Sequence, residues 1–160
     1  MKHVIVAVTN DVSTDQRVAR TCEVLLELGF KITVVGRCLH SSMPIDRAYT
    51  VKRMRLLFNK GPLFYAEYNI RLFLLILFKR ADLYFANDLD TLLAMFLVSK
   101  IKGKSLVYDS HEYYIEVPEL VGRPLVKKVW QRIEKSIFPK VQAAITVNDS
   151  IAALYEQQYK

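Results

Sequence analysis

The chain has 160 residues, 52% of them hydrophobic, and a formal net charge of +7. That length and apolar content suit one domain with a real core and exclude a disordered chain. The positive balance points to an anionic partner, whether nucleotide phosphates, nucleic acid or acidic lipid, without choosing among them.

Residues 3–9 form a near-continuous apolar run and read as a first, buried strand. Asn10 and Asp11 interrupt it too early for a signal peptide. Ser13 precedes Gln16 by three, a capping-box spacing that starts a helix. That helix carries Val18, Cys22, Leu25 and Leu26 on one face and ends before Gly29. Residues 30–36 are the second strand and 37–50 a loop. Residues 51–58 alternate imperfectly and read as a third strand at a sheet edge, broken by Lys60-Gly61-Pro62. An apolar helix follows over 63–79, then a strand over 82–86 and a helix over 90–102 that ends near Gly103. Residues 104–108 are the fifth strand, 118–124 a loop, and 125–138 a helix closed by Pro139. A sixth strand over 143–147 leads to a last helix, capped by Asp149 or Ser150, that runs to the end. Strand–helix alternation throughout predicts an α/β fold: a doubly wound, Rossmann-like parallel sheet with helices on both faces. No repeat or internal boundary interrupts it, so residues 1–160 read as a single domain.

If the strand order is 3-2-1-4-5-6, strands one, four, five and six are neighbours. Their carboxyl ends carry Asn10-Asp11, Asn87-Asp88, Asp109-Ser110-His111 and Asn148-Asp149. Ligands of open α/β sheets bind at that edge, near the switch point between strands one and four. Asn and Asp also cap helices and fill turns, which accounts for any one of them singly. His111 is not a standard capping residue, and an imidazole titrates near neutral pH.

Several absences narrow the chemistry. The first strand–helix loop has no glycine, so there is no dinucleotide fingerprint, and no Walker loop occurs elsewhere. There is no G-x-S-x-G elbow and no metal-ligand spacing, so the expected metal is none. Cys22 and Cys38 read as free thiols in a reducing compartment. The longest apolar run, 72–78, is far too short to span a bilayer. Two segments could meet an anionic membrane surface: the helix with Lys127, Lys128, Arg132 and Lys135 around Trp130, and the aromatic stretch with Phe64, Tyr65, Tyr68, Phe73 and Phe78. Amphipathic helices that cover a sheet have the same composition.

The succession of motifs resembles glycosyltransferase family 4. Asn10-Asp11 with Asp15-Gln16-Arg17-Val18-Ala19-Arg20, then Leu28-Gly29-Phe30 and residues 32–37, is similar to the family's opening. Residues 108–112 (Tyr-Asp-Ser-His-Glu) resemble its histidine motif after the fifth strand, and residues 145–151 its exit from the sixth. The resemblance covers nearly all 160 residues in order. It implies one half of a GT-B fold, the N-terminal, acceptor-binding domain, with the C-terminal donor-binding domain absent. It implies a retaining hexosyltransferase that moves a sugar from a nucleotide-sugar donor to a glycan or lipid-linked acceptor, as in cell-surface polysaccharide synthesis. His111 would be catalytic. Asn10, Asp11, Asp15, Arg17, Asn87, Asp88, Asp109, Glu112, Tyr113, Asn148 and Ser150 would bind substrate. No cofactor and no nucleic acid is implied, since the donor is a substrate held mainly by the missing domain, and this fragment alone is expected to be inactive. The implied location is cytoplasmic, including the periphery of the inner membrane face. Where many family members have a glycine-rich first loop, this chain has Asn10-Asp11-Val12-Ser13. A non-catalytic α/β binding module is the alternative. A phospho-receiver version lacks the paired acids after strand one and the lysine after strand five. A peripheral membrane module is a further alternative.

Overall fold

The computed structural model of the chain describes residues 1–113 and 122–159. The elements are β1 (His3–Asp11), α1 (Gln16–Glu27), β2 (Lys31–Arg37), β3 (Thr50–Met54), α2 (Gly61–Leu77), β4 (Leu83–Asn87), α3 (Leu89–Lys102), β5 (Ser105–Ser110), α4 (Pro124–Ile137), β6 (Ala143–Thr146) and α5 (Asp149–Tyr159). The described strands form one parallel sheet, as the alternation predicts, in the order β3-β2-β1-β4-β5-β6, which meets the condition set for the polar rim.

β1 is central, with Val4 paired to Ile32 on one side and to Leu83 on the other. Helices cover both of its faces, which is why its residues read as a continuous apolar run. Val4, Val6 and Val8 pack with Val18, Cys22 and Leu25 of α1. Ile5 and Ala7 point the other way, into a larger core with Tyr68, Leu72 and Ile76 of α2, Leu92 and Met95 of α3, and Trp130 of α4. Gly36 is required where β2 crosses the end of β1, since a Cβ there would collide with Val12 Cγ2 and press on the Asn10 carbonyl.

Several boundaries differ from the sequence expectation, each for a local reason. The cap of α1 is Asp15, whose carboxylate accepts from the N–H groups of Arg17 and Val18, so the Ser13–Gln16 capping box does not form. β1 runs on to Asp11. β3 stops at Met54, because the N–H groups of Leu57 and Phe58 bond to the Glu67 carboxylate at 2.9–3.0 Å rather than to a strand. α2 begins at Gly61 with Pro62 in its first turn, where a missing N–H costs nothing. Asn148, rather than Asp149 or Ser150, caps α5 by accepting from the Ile151 N–H at 2.9 Å. The expected loop over 118–124 lies mostly outside the described residues, as does the end of the last helix at Lys160.

Candidate active site

β4 and β5 pair in register up to Asn87 and Asp109, so both strands end side by side. The backbone N–H of Asp88 donates to the Asp109 carbonyl at 2.8 Å and locks the two exits together. His111 follows one residue after β5. Its backbone N–H donates to Asp88 Oδ1 at 3.1 Å, and its ring Nδ1 lies 3.3 Å from the same oxygen. A carboxylate oxygen only accepts, so Nδ1 carries a proton in this arrangement. The other ring nitrogen, Nε2, lies 3.5 Å from Asp109 Oδ2. That is longer than a good N–H···O bond, so Nε2 is the nitrogen that can exchange its neighbour for a substrate oxygen.

The electrostatics follow from this placement. The hydrogen bond that the ring donates to Asp88 raises the His111 pKa, burial opposes it, and the charges of Asp88 and Asp109 add to the rise. Burial raises the Asp109 carboxyl, while His111 pulls it back. The cationic ring is therefore favoured between its two carboxylates. Arg17, exposed at the start of α1, is close enough to oppose that charge and lower both groups.

Asp88 is held in an uncommon backbone conformation, φ 60° and ψ 165°. That region is essentially reserved for glycine and costs a side-chain-bearing residue about 1–3 kcal/mol. Asp88 stands at the N-cap of α3 yet makes no capping bond with its side chain. Its carboxylate is turned to His111 instead, so helix capping does not account for this aspartate.

The other expected residues divide into groups. Asn87 is buried, with Nδ2 donating to the Ala7 carbonyl at 2.9 Å and Oδ1 unpartnered, and so ties β4 to β1. Asn10 donates to Asp15 Oδ2 at 3.0 Å, which joins the β1 exit to the α1 cap. Asp11 accepts from Ser13 Oγ at 2.8 Å and from Ser42 Oγ at 2.6 Å, toward the loop after β2. Burial pushes its pKa up, but these hydrogen bonds outweigh burial and hold it below the usual value. Glu112 is exposed at the rim of a groove. Tyr113 is turned toward α5, its ring 5.5 Å from that of Tyr155 and its hydroxyl donating to Gln158. Asn148 serves its own helix and Ser150 is exposed beside it. The contacts thus draw Asp88, Asp109 and His111 into one cluster, with Arg17 acting on it through space and the Asn87 side chain bonded to β1 instead. Asp11, Tyr113 and Asn148 are engaged elsewhere.

Three features escape a reading of the residues alone. Asp90, in the first turn of α3, is buried and accepts from Thr9 Oγ1 at 2.5 Å. Burial, reinforced by the nearby Asp88 charge, pushes its pKa up to about 7. Ser110 is fully buried under His111, donating to the Glu112 carbonyl at 2.7 Å and lying 2.8 Å from the Tyr155 hydroxyl. The third is a groove of about 620 Å³ between α2 and α4, lined by Tyr65, Ala66, Leu93, Val126, Trp130 and Ile133, with Glu112 at its edge.

A family model described as Glycosyltransferase Family 4 matches residues 15–160. No curated protein matches the sequence significantly. Among solved structures, sucrose-phosphate synthase from Thermosynechococcus elongatus superposes with a TM-score of 0.73 at 13% identity, over 100% of this chain and 46% of that one. A UDP-N-acetylglucosamine 2-epimerase gives 0.61 at 12% identity, over 99% and 45%. CalG4, the calicheamicin glycosyltransferase, gives 0.54 at 13% identity, over 98% and 42%. The chain spans less than half the length of each. Identities this low establish a shared fold, one Rossmann-like half of a GT-B protein, and leave the reaction to be argued from the residues.

Proposed function

The chain belongs to glycosyltransferase family 4, and on that premise we propose that it is the acceptor-binding half of a retaining sugar transferase. The donor is a nucleotide sugar and the acceptor a glycan or lipid-linked molecule. The observation that carries this reading is the imidazole at the β5 exit, fixed through Nδ1 by Asp88 and loosely engaged at Nε2. A positioned, cation-prone donor at a strand's carboxyl end suits an oxygen on which charge develops as the glycosidic bond breaks.

In this reading His111 contacts the donor sugar through Nε2, which donates when the ring is cationic, and Asp88 accepts from Nδ1 and favours that charged form. Asn87 and Asp109 hold the two strand exits that present it. The acceptor enters beside Glu112, where the apolar groove between α2 and α4 favours the lipid-linked class, a molecule with an apolar portion. Asn10, Asp15 and Arg17 border the acceptor side at the β1 exit. The nucleotide is held chiefly by a second half, and closure of the two halves assembles the site.

The test offers the intact protein containing this chain a panel of nucleotide sugars labelled in the sugar. Transfer to an extractable acceptor, with the anomeric configuration of the donor kept in the product, is expected. The 160-residue chain alone is expected to transfer nothing. Epimerisation of the donor without transfer, or robust transfer by this chain alone, would overturn the assignment.

A further inference from the structure

The outer surface of α2 is largely apolar; its charges are Glu67 and the half-exposed Arg71, paired with each other at 2.8 Å. Its solvent-facing positions are Leu63, Ala66, Ile70 and Leu74, with Phe78 at the C-terminal end, each three or four residues from the last. Leu63, Ile70, Leu74 and Phe78 are 58%, 61%, 52% and 84% exposed. The opposite side of the helix, Phe64, Tyr68, Leu72 and Ile76, fills the core. A helix covering a sheet ordinarily sets polar residues against water on its outer side. α1 does so, with Gln16, Arg17, Arg20, Glu23 and Glu27 exposed. α2 instead sets aliphatic residues at its exposed positions, beside the Glu67–Arg71 pair.

The stripe continues onto its neighbours. α2 packs on α3, α3 on α4, and Tyr65 of α2 meets Trp130 of α4 edge-on at 5.1 Å. Leu97 and Ile101 of α3 are 43% and 63% exposed, and Leu125 and Val129 of α4 are 76% and 54% exposed. Cations are interleaved with them: Lys100, Lys128, Arg132 and Lys135 are all exposed. The acids of these three helices do not reach the surface in the same way. Asp90 and Glu134 are buried, and Glu67 is bound to Arg71 and to the backbone of Leu57 and Phe58.

We propose that the α2–α4 face docks on an anionic phospholipid surface. The α2 stripe lies in the headgroup–acyl boundary, and the exposed lysines and arginine meet lipid phosphates. Charge complementarity selects this occupant. A second copy joined through the same face would set cation against cation. No helix among the described residues is long and apolar enough to cross a membrane, so α2 lies in the plane of the surface. Of the aromatic residues that suggested lipid contact in the sequence, Phe64 and Tyr68 face inward and Phe78 ends the exposed stripe, which is otherwise aliphatic. The inference rests on surface composition and is independent of the sugar-transfer reading.

The test is co-sedimentation of the chain with vesicles of phosphatidylcholine alone and of an equimolar mixture with phosphatidylglycerol. Binding to the mixed vesicles and little to the neutral ones is expected. Ile70→Glu with Leu74→Glu, both at exposed positions, should reduce binding at least about tenfold. Lys128→Gln with Arg132→Gln should weaken it about fivefold for each cation removed. Circular dichroism checks that the variants stay folded, and the cation pair, on a different helix, keeps the test decisive if the α2 pair does not. No binding to the mixed vesicles would overturn the proposal. So would binding that neither pair weakens, or a lipid-free dimer in sedimentation velocity that the α2 pair dissociates.

Discussion

Asp88 is the residue at which backbone strain and site chemistry meet. Its conformation is one that glycine adopts freely, and its carboxylate is what fixes the His111 ring. Asp88→Gly should therefore relieve about 1–3 kcal/mol of strain while removing the partner that raises the His111 pKa. The expected result is a variant more stable to urea than Asp88→Ala, with the His111 titration, followed by NMR, moved down toward its ordinary value. An unmoved titration would show that Asp88 does not set the ring's charge. Asp90 gives a second, separable test. A buried carboxyl whose pKa is raised in the native state holds its proton while the unfolded chain releases it. Its contribution to stability therefore falls as pH climbs from 3.8 to about 7. His111 adds to the same trend, since its contribution is present below 6.5 and lost as pH rises through its raised native value. Asp90→Asn can keep the bond from Thr9 and lacks the titration. Urea midpoints measured across that range should lose much of their slope in the variant, and an unchanged slope would contradict the assignment.

At the scale of elements, the segment bearing His111 is braced from behind by α4 and α5. Glu134 of α4 is fully buried and accepts from the hydroxyls of Tyr155 at 3.1 Å and Tyr159 at 2.8 Å. Tyr155 also reaches Ser110, directly before His111, and stacks on Phe138 at 4.6 Å. Tyr155→Phe keeps the stack and strips one partner from each of two buried polar groups, which should cost about 1–3 kcal/mol in chemical denaturation. A change within error would show that the brace contributes nothing. These elements also mark how far a sequence can be read. The exits of β1, β4 and β5 were legible because each is a short apolar run that stops at Asp, Asn or Ser, and alternation with helices predicts a parallel sheet. The α1 cap was not, because Ser13 and Asp15 are both good caps and only the path of the chain out of β1 decides between them. Asp90 was illegible for a related reason. An acid in a helix's first turn reads as a favourable surface charge, and its burial under Thr9 depends on how α3 meets β1.

For the whole molecule, the parallel sheet divides the chain into two unlike sides. The side covered by α1 is charged outside, and the side covered by α2, α3 and α4 is apolar and basic. The groove beside Glu112 belongs to the second side and is made by helices distant in sequence, so no local motif announces it. An acceptor with an apolar portion would thus reach the His111 rim from the face argued to rest on lipid. The central claim is that the imidazole at the β5 exit takes part in sugar transfer. It is tested most directly by comparing kcat for the intact protein with that of His111→Ala, with folding of the variant verified by circular dichroism. A loss of about a hundredfold or more is expected with KM for the acceptor little changed. A folded variant that transfers sugar at a near-normal rate would contradict the account.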